Sequence, residues 1–211
     1  MENLLGAQRI AELIHAGVTV DDEVFDSFIS RPSPTCPFIV RWTPVRVALQ
    51  VVSWIEQYSI ETVVDIGSGT GKFCVVAALA STASFLGIES SPGRVRDARQ
   101  LASTFRVHSR VHFVEGAARE AGIPAAQAYY LFNPFEEHLL DPAPNKRAAM
   151  QNIEQFMQDV TYVERFLEQA PLNTYVIKYN GFGGKMPQTY TNISTNHSMP
   201  CSLRLWRKDR V

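Results

Sequence analysis

Asp65-Ile66-Gly67-Ser68-Gly69-Thr70-Gly71 is the stretch that decides the reading of this chain. Before it, ETVVDIG (61–67) is rich in β-branched residues and reads as a short buried strand; after it, KFCVVAALA (72–80) reads as an apolar helix. A glycine turn between strand and helix lets the backbone bend sharply and lets a ligand approach where a Cβ would collide. In a doubly wound sheet such a turn lies at the carboxyl edge of the strands, where ligands bind. A dinucleotide turn, GxGxxG, needs a third glycine at position 72, and Lys72 stands there. GxGxG preceded by an acid suits a ligand with no phosphate and a charged amino group, which Asp65 and the turn can receive.

Working outward, strand and helix patterns alternate. SFLGIES (84–90) is a second strand, and Ser91-Pro92 starts a helix with an apolar stripe of Val95, Ala98, Leu101, Ala102 and Phe105. Arg94, Arg96 and Arg99 are turned outward on that helix; with Arg106 and Arg110 they form a modest basic strip. RVHFVEG (110–116) and AYYLFNP (128–134) are strands three and four. A long amphipathic helix over 147–170 places Met150, Ile153, Met157, Val160, Val163 and Leu167 on one face, and NTYVIKYNG (173–181) is a fifth strand ending in an Asn-Gly turn. NGFGGKMP (180–187) reads as a connecting loop on the ligand edge, and CSLRLWRK (201–208) as a last strand. Upstream, Thr43 suits an N-cap and Pro44 the first helical position, ahead of the apolar helix VRVALQVVSWIEQY (45–58). Residues 1–42 read as a cap of two helices followed by a linker, RPSPTCP (31–37), whose three prolines no helix interior tolerates. Residues 43–211 read as the main domain. Alternating βα units imply a mainly parallel sheet with helices on both faces.

Composition sets bounds on function. The chain has 211 residues, 45% hydrophobic and 19% charged, enough to bury a sizeable core. Its net charge of −1 argues against a protein that coats nucleic acid in bulk, although a small RNA or DNA substrate stays open. No apolar run is long enough to span a bilayer, and the first residues lack a signal-peptide layout, so a cytoplasmic protein with no membrane partner is expected. Cys36, Cys74 and Cys201 have no zinc spacing, nor do the five histidines, and no metal is expected. Residues 1–61 carry eight acids against four bases, whereas 171–211 carry six bases and one acid.

Over about residues 43–180 the chain resembles the class I S-adenosylmethionine-dependent methyltransferases, as a small bacterial-type member of unassigned substrate. Their first motif, [D/E]xGxGxG, corresponds to Asp65–Gly71. The resemblance implies an α/β, Rossmann-like, doubly wound sheet with an antiparallel C-terminal strand and, here, an N-terminal helical cap. It implies S-adenosylmethionine as cofactor, S-adenosylhomocysteine as product, and a cofactor site of Asp65, Gly67, Ser68, Gly69, Gly71, Glu89 and Ser90, then Gly116, Ala117, Ala118 and Asn133. Glu89 closes the second strand, 22 residues beyond Gly67, where the family accepts both ribose hydroxyls on one carboxylate. Many members have Asp where this chain has Ala117, beside the adenine. The family usually has another helix where 180–187 falls, which implies an abbreviated end to the sheet.

The fourth strand ends in Asn133-Pro134-Phe135-Glu136. Methyltransferases acting on amino groups carry [N/D]-P-P-[Y/F] there, and lysine methyltransferases of the Dot1 type carry Asn-Asn-Phe at the same edge. The resemblance therefore implies Asn133 as the catalytic residue, Phe135 and Glu136 on the substrate side, and an amine as the favoured acceptor, its identity unknown. Phe135 takes the second proline's place and Glu136 the aromatic's. A methyltransferase of this kind relies mainly on positioning and orientation. Two other classes remain open: an oxidoreductase on a dinucleotide fold, and a module that binds cofactor or a partner without transferring anything.

Overall fold

The computed structural model describes residues 2–29, 42–140 and 143–211; the proline-rich stretch 31–37 and Cys36 lie outside them. In chain order the elements are α1 (Glu2–His15), α2 (Asp22–Asp26), α3 (Val45–Gln57), β1 (Thr62–Ile66), α4 (Lys72–Ala80), β2 (Ser84–Glu89), α5 (Pro92–Thr104) and β3 (Val111–Glu115). There follow α6 (Ala118–Ala121), β4 (Ala128–Leu131), α7 (Glu137–Leu140), α8 (Lys146–Gln169), β5 (Tyr175–Tyr179), β6 (Tyr190–Asn196) and β7 (Leu203–Lys208).

The seven strands form one sheet in the order β3-β2-β1-β4-β5-β7-β6. β3, β2, β1, β4 and β5 are parallel neighbours, while β7 runs antiparallel to β5 and to β6. The order reverses between β1 and β4, so their carboxyl ends open a crevice at the switch point. This is the Rossmann-like, mainly parallel sheet expected, with one addition. Residues 190–196, to which the sequence reading assigns no element, form an edge strand, and the sheet is complete rather than abbreviated. TYTNISTN lacks a clean apolar alternation because the edge strand is mostly half-buried, and its ladder to β7 is interrupted by a bulge between Asn192 and Ser194. No helix lies between β5 and β6.

Strand alternation divides the core between the two faces of the sheet. On one face Val63, Phe85, Tyr130, Ile177 and Leu205 pack with residues of α1 to α5, including Ile14, Phe25, Val51 and Val76. On the other, Val64, Ile66, Ile88, Leu131 and Val176 pack with Val160, Val163 and Leu167 of α8. Arg110 of the expected basic strip is spent inside the fold: its guanidinium donates to the carbonyls of Ala78, Ser81 and Ala83 at the end of α4. Arg99 likewise donates to the Phe113 carbonyl.

Two local expectations are corrected. Pro44, not Thr43, occupies the N-cap of α3, and Val45 is its first helical residue. The Thr43 hydroxyl is held instead by the Tyr130 hydroxyl at 2.9 Å, and the Val45 N–H donates to Asp22 Oδ1 at 2.8 Å, so α2 caps α3 from outside. The apolar face of α8 is buried only in its second half. Val160, Val163 and Leu167 are in the core, whereas Met150, Ile153 and Met157 are 71%, 53% and 55% exposed. Helical spacing alone does not reveal where the covering layer ends.

Candidate active site

The turn after β1 is shaped by three glycines at positive φ: Gly67 at 77°, Gly69 at 56° and Gly71 at 78°. Two of them show different needs. A Cβ on Gly67 would lie 2.7 Å from the Pro134 Cα, because the chain leaves β1 and β4 side by side; around Gly69 nothing lies within 4 Å, and the backbone is open to a ligand. The turn and the β4 end line a cleft of about 850 Å³, open mouth included.

At the base of the cleft Asp65 is 4% exposed, and its polar contact is the Cys74 thiol, which donates across 3.5 Å. Burial, against the lowering effect of the Cys74 hydrogen bond and with a smaller push from the charge of Glu89, holds its carboxyl up at about 7. Tyr130 stacks on Phe73 at 3.7 Å between ring centroids, forming a rigid wall beside Asp65. Glu89, 3% exposed, closes β2 and borders both this cleft and a smaller one. Its Oε2 accepts from Gly69 N at 2.9 Å, and Oε1 accepts from Ser91 N at 2.9 Å and Ser90 Oγ at 3.4 Å, with Arg94 Nη1 at 3.6 Å. The carboxylate thus ties the glycine turn to the start of α5. Oε2, with one donor, keeps a second lone pair for a further hydrogen bond. Ser68 Oγ and Thr70 Oγ1 are buried hydroxyls without a partner in the same turn.

The smaller cleft, about 390 Å³, is bordered by Ser90, Gly116, Ala117, Ala118 and Phe135 on the far side of Glu89. Ala117 brings no acid to this space, and its polar side chains come from Glu137, His138, Gln155 and Asp159. Asp159, 3% exposed, is held by Arg119 at 3.1 Å and His138 at 3.2 Å, so α6 and α7 are pinned to α8. Burial raises the Glu137 carboxyl above its ordinary range.

At the β4 end Asn133 adopts φ 47° and donates its N–H to the Gly181 carbonyl at 2.8 Å. Its Oδ1 accepts from Asn180 Nδ2 at 3.0 Å, and its Nδ2 donates to Glu136 Oε2 at 3.3 Å. Asn133 and Glu136 line the large cleft together. Phe135 does not: it is 6% exposed in the α8-side core and faces the smaller space. Residue patterns had not singled out Thr70, Phe73, Tyr130, Phe132 or Leu140, which line the large cleft, nor Lys72 and Trp42 as part of it. Thr70 lay within the motif, and Tyr130 and Phe132 alternate along β4; those were the available signals.

Lys72 begins α4 and is 3% exposed, with its ammonium 2.7 Å from Asp22 and 2.5 Å from Asp26, above the Phe25 ring. The N-terminal helices are thereby fastened to the glycine turn. Among the described residues no cluster of three or more His, Cys, Asp or Glu could hold a metal ion, and no helix is long and apolar enough to cross a membrane.

Comparison with known proteins agrees with this fold. A family model described as a methyltransferase domain matches residues 59–166, a little over half of the chain. No curated protein matches the sequence. Among solved structures, an RNA methyltransferase from Salinibacter ruber in complex with S-adenosyl-L-homocysteine is similar, with 20% identity and a TM-score of 0.54, covering 86% of this chain and 95% of that one. The METTL16 methyltransferase domain has 14% identity and a TM-score of 0.55, covering 94% and 97%. The mitomycin 7-O-methyltransferase MmcR has 14% identity and a TM-score of 0.56, covering 78% and 54%. At these identities the likeness is one of fold. The chain belongs to the methyltransferase-domain family, in the Rossmann-like class that uses S-adenosylmethionine.

Proposed function

We propose that the protein binds S-adenosylmethionine across the two clefts and transfers its methyl group to an acceptor presented at Asn133. The observation that carries this reading is the crevice itself: an open glycine turn between two buried carboxylates, Asp65 and Glu89, at the switch point of the sheet. The fit to the cofactor is chemical. Ser68 and Thr70 line the cleft and their buried hydroxyls lack partners, and the acids offer acceptors to an ammonium and to ribose hydroxyls. Asp65 and the turn would hold the methionine end, Glu89 and Ser90 the ribose, and Gly116, Ala117 and Ala118 the adenine side. When bound, the cofactor supplies an electrophilic methyl on a sulfonium.

The chain's own contribution is orientation. Asn180 and Glu136 hold the Asn133 amide from both ends, so its carbonyl, which has a second lone pair, points in a fixed direction from the β4 edge. An amine is the acceptor that such a carbonyl orients best. Trp42, Phe132 and Leu140 add apolar wall on the acceptor side.

Calorimetric titration with S-adenosylhomocysteine, S-adenosylmethionine and NADH tests the assignment. Micromolar binding of the first two and none of NADH is expected. Glu89→Ala should weaken them at least ten-fold, as loss of charged hydrogen bonds worth roughly 1.5–3 kcal/mol does. Equal binding by wild type and variant would remove Glu89 from the site. One observation favours a second reading, a binding module without turnover: both ends of the Asn133 amide are already engaged. Methyl transfer to any acceptor would eliminate it.

A further inference from the structure

β5, β7 and β6 share a face on which Val176, Lys178, Arg204, Trp206, Lys208, Tyr190 and Asn192 stand, as their register requires. α8 covers the amino-terminal end of β5 on this face. Tyr190 Oη donates to the Leu167 carbonyl there, and the Lys208 ammonium donates to that of Glu168. Toward the carboxyl end of β5 the character of the face changes. Lys178 and Arg204 are directly opposed on β5 and β7, both half-buried. Like charges facing each other across an antiparallel pair are destabilising.

Among the described residues neither cation pairs with a carboxylate. Burial and the charge of Arg204 lower the Lys178 ammonium below its ordinary range. The Lys178 ammonium lies 6.0 Å from the Phe182 ring centre and 5.9 Å from that of Trp206, so two ring faces attend this cation but neither offsets the charge of the second. Arg204 uses Nε on Ser202 and has further donors to offer. Deeper in the face, Trp206 Nε1 and Asn192 Nδ2 are buried donors with no acceptor. The surface is therefore rich in donors and short of an anion. It also borders the transfer edge, since Asn180, two residues beyond Lys178, holds Asn133.

We propose that Lys178 and Arg204 bind a phosphate in the backbone of a single-stranded nucleic-acid acceptor, placing a neighbouring nucleotide at Asn133. A phosphodiester suits two opposed cations because its oxygens can engage a lysine point charge and a guanidinium fork together. A strand, rather than a lone phosphorylated metabolite, fits the wider charge pattern. Residues 171–211 hold six bases and one acid in a chain whose net charge is −1, so the C-terminal segment that supplies this end of the sheet carries a net positive charge. This inference rests on the methyltransferase reading.

The test uses the full chain with a fluorescein-labelled, mixed-sequence single-stranded RNA of about twenty nucleotides, its affinity followed by anisotropy at several salt concentrations. Wild type should bind with a salt-dependent affinity. Lys178→Met with Arg204→Gln, which keeps both stems, should weaken it at least ten-fold. The slope of log affinity against log salt should become shallower by about 1.4, two contacts at ~0.7 each. Lys178→Arg should retain binding, and Arg106→Gln, at an exposed site elsewhere, should change it less than two-fold. Binding of S-adenosylhomocysteine should be the same in all these proteins. No RNA binding by wild type, or equal binding by the double variant, would overturn the proposal while leaving the methyltransferase reading intact. Displacement of the strand by equimolar AMP would overturn the strand as the source of the phosphate. Failure of wild type to bind S-adenosylhomocysteine would instead overturn the reading on which the proposal rests.

Discussion

Asp65 shows how one buried side chain links ligand binding to stability. Its carboxyl is held up to about 7 chiefly by burial, so the folded protein keeps a proton that the unfolded chain releases near the ordinary carboxylate value. The native state binds more protons in that window, and raising the pH therefore favours unfolding, by at most about 1.4 kcal/mol per pH unit for one group. The stability of the apoprotein is expected to fall from pH 5 toward pH 7.5 in denaturant titrations. Asp65→Asn should flatten that fall. Saturating S-adenosylhomocysteine, whose ammonium would sit beside Asp65, should flatten it in wild type as well. Asp65, Glu89 and the three glycines were legible in sequence because backbone conformation and charge at a turn are local demands. The occupation of Asn133 by Asn180 was not, since the two residues are 47 positions apart and meet only through the β4–β5 pairing.

At the scale of the element, α8 separates pattern from burial. Its apolar residues recur at helical spacing for 24 residues, yet the sheet covers only the later turns. Leu167→Ala, at a site with no exposure, is expected to cost about 2–5 kcal/mol in chemical denaturation. Met150→Ala, at 71% exposure, should stay within about 0.5 kcal/mol. Similar losses at both positions would mean that the first turns of α8 are covered in solution. β6 went unseen in the sequence for the complementary reason. Edge strands draw their order from one ladder and need little apolar content, so TYTNISTN carries no periodic signal. β1, β2 and β4 were legible because burial on both faces of a parallel sheet leaves compact apolar runs, and β3 because its buried Val111 and Phe113 alternate with an exposed residue.

At the scale of the molecule, the N-terminal helices share a core with α3 to α5 and clamp the start of α4 through Lys72. Lys72→Met would leave Asp22 and Asp26 facing no cation beside Phe25. A fully buried broken pair costs about 3–5 kcal/mol; with Asp22 at 43% side-chain exposure, roughly 2–3 kcal/mol is expected. Adding Asp22→Asn and Asp26→Asn should recover part of the loss. An undiminished loss in the triple variant would show that packing of the Lys72 stem, not its charge, carries the effect.

By itself the sequence determined the strand–turn–helix at 61–80, the alternation that follows it and the acid that closes β2, because each depends on neighbours along the chain and on the burial period of its own element. Only the tertiary structure decided which wall each residue serves. It turned Phe135 into core, brought Lys72 under two aspartates from another helix, and set Lys178 opposite Arg204. Those placements follow from strand order and helix packing, which bring distant residues within a few ångströms and leave no mark on the local pattern.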